Sequence, residues 1–69
     1  MKDLIKAVRA HASANYEQDG WDYLVECYDD AEIAELIGDE KTTAGAIAAV
    51  GEIMKLKDDY RKEIEATAF

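Results

Sequence analysis

No proline interrupts the stretch from Thr42 to about Ala66, so a chain of 69 residues commits more than a third of its length to one helix. Thr42 or Thr43 can cap its start. Its first half, AGAIAAVGEI, is rich in small residues. Gly45 and Gly51 each cost about 1 kcal/mol relative to Ala inside a helix, so their presence points to close approach of another element. The second half, MKLKDDYRKEIEATAF, is charged and amphipathic, with Ile53, Leu56, Tyr60 and Ile64 along its apolar side. A helix of this kind needs shorter helices to cover it. The expected fold is therefore all-α, a compact bundle of three to four helices with a long C-terminal helix, forming a single domain over residues 1–69.

The rest of the chain supplies those helices. From Asp3 to about Gln18, Leu4, Ile5, Val8, Ala12 and Tyr16 fall at helical spacing, and Asp19-Gly20 provides a stop. Trp21, Leu24, Val25 and Tyr28 recur at i, i+3, i+4 and i+7, which predicts a short second helix. The segment YLVECY is also rich in strand-forming residues, but the chain offers no second strand to pair with it. Asp29 and Glu32 have the spacing of a capping box at the head of a third helix, with Ile33, Leu36 and Ile37 on its buried edge and Gly38 at its end. Candidate core residues are Leu4, Ile5, Val8, Tyr16, Trp21, Leu24, Val25, Tyr28, Ile33, Leu36, Ile37, Ile47, Val50, Ile53, Met54, Leu56, Tyr60 and Ile64.

A chain this short lies near the lower limit for a self-sufficient core. The single Cys27 rules out an internal disulfide, and with the single His11 it falls short of a structural zinc set. Twelve of the residues in the 49% apolar share are Ala, which bury little area. Folding must therefore rest on a few large side chains, and burial against a second copy would extend them. Ala46, Ala49, Ile53, Leu56 and Tyr60 follow a 3-4-3-4 step along the last helix, the seam expected if the chain self-associates as a homodimer.

Charge narrows the function. Ten carboxylates (Glu17, Asp19, Asp22, Glu26, Asp29, Asp30, Glu32, Glu35, Asp39, Glu40) lie between Arg9 and Lys41 with no Lys or Arg among them, and the formal net charge is -8. Such a surface repels nucleic acid and anionic lipid and favours a protein partner with a basic surface. A solvated, solubilising face is the simpler explanation of a charge run. If the acidic centre is instead a docking surface, its expected contacts are Asp22, Glu26, Asp29, Asp30, Glu32 and Glu35, with Tyr23 as an exposed aromatic beside them. Trp21 and Tyr28 are expected in the core, and His11 and Cys27 at its edge. No run of 18 apolar residues and no secretory h-region is present, and with an unpaired Cys the expected location is cytoplasmic.

Residues 32–38, EIAELIG, followed by a short turn and a capped helix, resemble the first helix and turn of a helix-turn-helix unit: Ala34 stands four positions before Gly38, with Ile33 and Ile37 beside them. The resemblance covers Asp30 to about Val50. It departs from the pattern at Asp39, where an apolar residue is usual, and in TAGAIAAVGEI, which has no Lys, Arg, Asn or Gln to read bases. Residues 20–38, GWDYLVECYDDAEIAELIG, give the chain a similarity of type to small, acidic, Ala-rich helical proteins encoded by phages and prophages. Some proteins of that type, anti-CRISPR proteins and DNA mimics among them, inhibit host defence or nucleic-acid machinery. The resemblance implies an inhibitor that fills a basic groove in the host cytoplasm. No enzyme is expected. The sequence holds no nucleophile with an adjacent base, no glycine loop for phosphate and no paired His, and the adjacent carboxylates Asp29-Asp30 and Asp58-Asp59 do not face each other on a helix. No cofactor or metal is expected either.

Overall fold

In a computed structural model, which describes residues 1–67, the chain forms α1 (Lys2–Ala14), α2 (Trp21–Cys27), α3 (Asp30–Ile37) and α4 (Thr43–Thr67), and no strand is found among the described residues. The all-α expectation, with a long C-terminal helix, is met. α1 ends earlier than its apolar periodicity predicts. Asn15 closes it instead of Gln18: the Asn15 side-chain amide donates to the carbonyl of His11 at 2.9 Å, and its backbone N–H donates to the carbonyls of His11 and Ala12. A short polar side chain that satisfies the backbone locally competes with helix continuation. The chain then turns through Asp19 (φ 48°) and Gly20 (φ 77°) into α2.

Residues 21–27 are helical, which resolves the strand alternative, and Tyr28 breaks out into extended backbone. α3 starts at the capping box read from the sequence. The Glu32 N–H donates to the Asp29 carboxylate at 2.8 Å, and the Asp29 N–H donates to the Glu32 carboxylate at 3.1 Å. Thr42 caps α4, its hydroxyl oxygen accepting from the Gly45 N–H at 3.0 Å.

One hydrophobic cluster holds the four helices: Val8 and Ala12 of α1, Trp21 and Leu24 of α2, Ile33 and Ile37 of α3, and Ala46, Val50 and Met54 of α4. α4 packs against each of the other three. Two glycines let α2 approach it. A Cβ on Gly20 would fall on the carbonyl oxygen of Met54, and a Cβ on Gly51 would stand 2.9 Å from Cζ2 of Trp21. The small-residue half of α4 is thus used inside the chain, as a seat for the indole. The indole's other neighbour is His11, edge-on with ring centroids 4.8 Å apart.

The candidate core is overextended at one end. Tyr16 (39% exposed), Val25 (37%), Leu56 (65%), Tyr60 (66%) and Ile64 (48%) lie on the surface. For the last three the reason is reach. α4 has 25 residues and spans roughly 37 Å at 1.5 Å per residue, longer than the helices that cover it. The molecule measures 43 × 21 × 19 Å, and residues 62–67 are all exposed.

Candidate functional site

The projecting end of α4 and the side of α2 enclose a groove of about 870 Å³. Its α4 wall carries Ile53, Leu56, Tyr60 and Ile64, and its α2 wall carries Tyr23, Cys27 and the following Tyr28. The wall is apolar because the helical stripe of α4 continues beyond the bundle, whereas the helices that would bury it stop. Lys57, Arg61 and Glu65 supply the groove's charge.

Arg61 fixes the floor between the two helices. Its guanidinium donates to Asp58 at 2.6 Å and to Asp22 at 3.2 Å, and its central carbon lies 4.5 Å from the centroid of the Tyr23 ring. Lys62 adds a contact to the other oxygen of Asp58 at 3.1 Å. Asp58 is the one buried charged residue among those described, at 5% exposure. The hydrogen bond from Arg61, then that from Lys62, holds its carboxyl below the ordinary aspartate value against the opposing effect of burial. The same bonds raise both partners, Arg61 through Asp58 and then Asp22, and Lys62 through Asp58.

The acidic centre proves less free than its sequence. Asp22 is paired with Arg61, and Asp30 with Arg9 at 2.7 Å. Arg9 also donates to the Tyr28 carbonyl at 3.0 Å, tying α1 to the α2–α3 link. Asp29 and Glu32 are engaged in the capping box. Glu26 accepts from the Tyr16 hydroxyl, which raises the Tyr16 pKa above its ordinary value. Among the described residues, Glu35 is the one carboxylate of the expected contact set with no side-chain hydrogen bond or ion pair. Tyr23, expected to be an exposed contact, is half-buried under Arg61 because α2 lies against α4 on that side. Exposed acids without such partners gather around the end of α3 and the turn after it, at Glu35, Asp39 and Glu40, with Glu17 and Asp19 in the turn before α2.

Self-association was expected along Ala46, Ala49, Ile53, Leu56 and Tyr60, and the structure separates these residues. Ala46 is fully buried in the chain's own core and cannot meet a second copy, Ala49 and Ile53 are half-buried, and Leu56 and Tyr60 are exposed. Ile64 belongs with the last two, a spacing the amphipathic pattern had already marked. Trp21 and Tyr28 lie in or against the core as expected. Cys27, expected at the core's edge, is exposed in the groove.

The turn at Gly38 joins α3 to α4, whose first half exposes Thr43, Ala44, Ala48 and Glu52 and carries no Arg, Lys, Asn or Gln. Among the described residues, no group of three His, Cys, Asp or Glu side chains is placed to hold a metal ion, and no helix is long and apolar enough to cross a membrane. No family model, no curated protein and no solved structure matches this chain.

Proposed function

We propose that this protein is a small protein-interaction module that acts by non-covalent binding and takes an amphipathic helix of a protein into the groove between α2 and the projecting end of α4. What supports the reading is the stripe Leu56, Tyr60 and Ile64, spaced i, i+4 and i+8, which keeps 65%, 66% and 48% of its surface in water although the chain has few large apolar residues to spare. Large apolar side chains contiguous on one helix face mark an interaction surface, and helix-in-groove recognition uses this spacing. The test is a photo-cross-linking amino acid in place of Tyr60, irradiated in cells. Adducts whose other half maps to a helical protein segment are expected at this position, and none with the same residue at exposed Ala10 on α1. Equal, background-level yields at the two positions would refute the reading.

A second reading keeps the acidic surface as the contact, set on a basic groove of a nucleic-acid-handling protein in the manner of an inhibitor or DNA mimic. The observation in its favour is the exposed trio Glu35, Asp39 and Glu40, none of which forms an ion pair among the described residues. Converting these three to Lys leaves the capping box and the Arg9 and Arg61 pairs intact. Under this reading, wild type retains a stoichiometric basic partner from nuclease-treated lysate until salt elutes it, and the triple variant does not. Equal retention of that partner would dispose of it.

A further inference from the structure

We infer that the helix that fills the groove is α4 of a second copy of this chain, running antiparallel about a two-fold axis close to Tyr60. This rests on the reading of the groove as a helix-binding surface and names its occupant.

The argument starts from charge along the exposed stripe. Lys55 and Lys57 precede Tyr60, and Glu63 and Glu65 follow it. All four lie on exposed turns of α4, and among the described residues none has an ion-pair partner, whereas Arg61 and Lys62 are held by Asp22 and Asp58 within the chain. The two lysines sit on opposite sides of the stripe, and so do the two glutamates. Lys57 and Glu65 both line the groove, while Lys55 and Glu63 fall on the other flank at 100° per residue.

A two-fold axis perpendicular to the helix pair brings like flanks together and reverses the level along the axis. Leu56 then meets Ile64 of the second copy, and Tyr60 meets Tyr60. On the groove side Lys57 then lies two residues, about 3 Å along the axis, from the level of Glu65 of the second copy, and on the far side Lys55 lies as close to the level of its Glu63. Both ion pairs occur twice by symmetry. A parallel pairing in register joins unlike flanks at the same level, so Lys57 would lie beside Lys55 of the second copy and Glu65 beside its Glu63, which places like charges against each other.

Reach and closure agree with this. α2 contacts α4 at Gly51, Met54 and, farthest along, Arg61. An antiparallel overlap from Ile53 to Thr67, about 21 Å long, therefore sets the bulk of each bundle at opposite ends of the shared helix pair. The patch is self-complementary, so it closes at two copies and leaves no open end for further growth.

The experiment is sedimentation equilibrium of the full chain from low to high micromolar concentration, with circular dichroism as the check on folding. Wild type is expected to dimerise. Leu56→Glu, at a position largely exposed in the single chain, is expected to be a helical monomer. Lys55→Glu with Lys57→Glu, and separately Glu63→Lys with Glu65→Lys, should each raise the dissociation constant about tenfold, and mixing the two variants should restore association, as oppositely charged seams then meet. Orientation is read in a Cys27→Ser background. A Leu56→Cys copy should form a disulfide with an Ile64→Cys copy faster than either forms one with itself. Preferential self-linking of Ile64→Cys would mean a parallel pair and overturn the inference, as would a wild-type dimer that Leu56→Glu leaves unchanged. A wild type that stays monomeric at high micromolar concentration also overturns it. If Tyr60 cross-links in cells to a different protein in that case, the helix-binding reading survives its loss, and if Tyr60 cross-links to nothing, both fall together.

Discussion

Substituting Gly20 by Ala tests how α2 is held on α4. Gly20 has φ 77°, and a non-glycine residue in the left-handed region costs about 1 to 2 kcal/mol. Strain is the smaller part of the effect. The added methyl would land on the carbonyl oxygen of Met54 and 3.1 Å from Cβ of Asp58, both of them α4 atoms that cannot swing aside as a flexible side-chain tip does. α2 must then back away at its first turn, and the next residue is Trp21, whose indole is seated on Gly51. Unseating this large buried side chain adds up to about 1.5 to 3 kcal/mol, the full value of burying one. Together the cost is about 2.5 to 5 kcal/mol, against a total stability of about 3.5 to 10 kcal/mol for a domain of this size. Gly20→Ala is therefore expected to leave the chain at or near its unfolding threshold. Urea unfolding followed by the fluorescence of Trp21, the sole tryptophan, and by far-ultraviolet circular dichroism measures this. Any folded fraction should show red-shifted emission from a loosened indole. Gly38→Ala is the companion variant: its Cβ meets nothing nearer than the Glu35 carbonyl oxygen at 4.0 Å, so it carries backbone strain without collision and should keep the native emission. A Gly20→Ala protein that lost less than about 1 kcal/mol with native Trp21 emission would refute the close approach of α2 to α4, since αL strain alone accounts for that much.

Other perturbations have defined outcomes. Leu24→Ala, at a fully buried site, should cost about 2 to 5 kcal/mol by urea denaturation. Asp29→Ala removes the capping box and should cost about 1 kcal/mol, lowering the melting temperature by roughly 4 to 8 °C; an unchanged melting temperature would mean that α3 does not depend on its cap. Asp58 has a depressed carboxyl pKa, so its contribution is complete above the ordinary aspartate range, about pH 4, and is lost as pH falls through the lower folded value. The stability difference between wild type and Asp58→Asn should accordingly shrink on acidification through that range, and a difference that is constant or grows there would contradict the Arg61 and Lys62 bonding. Gly51→Val should cost about 1 to 3 kcal/mol through overpacking against Trp21, with a change in its emission maximum.

The local features of this fold are written in the sequence, because they depend on neighbours a few residues apart. The capping box of Asp29 and Glu32 and the stop at Gly38 can be read from spacing alone, and the strand-like YLVECY yields to helix because no partner strand exists. The end of α1 is a miss of the same local kind: the apolar period runs on to Tyr16, but Asn15 takes the backbone's hydrogen bonds first. What spacing cannot convey is coverage. Periodicity marks Leu56, Tyr60 and Ile64 as an apolar face but not whether any helix reaches them, so residues expected in the core became the wall of a groove. The acidic centre was overestimated for a related reason. Arg9 and Asp30 are 21 residues apart, and Asp22 and Arg61 are 39 apart, so no local pattern announces that two of the candidate contacts are already neutralised.

The division of the core between α4 and everything before it also sets an order of events during synthesis. Val8, Ala12, Trp21, Leu24, Ile33 and Ile37 emerge from the ribosome first, and the side chains that close over them, Ala46, Val50 and Met54, come last. Until then α1–α3 can form only fraying helices, since helices of 13, 7 and 8 residues are marginal in water without tertiary packing. The nascent chain must therefore stay dispersed while incomplete. Its run of ten unrelieved carboxylates, one of which, Asp22, acquires its cation only when Arg61 of α4 arrives, supplies mutual repulsion between neighbouring unfinished chains.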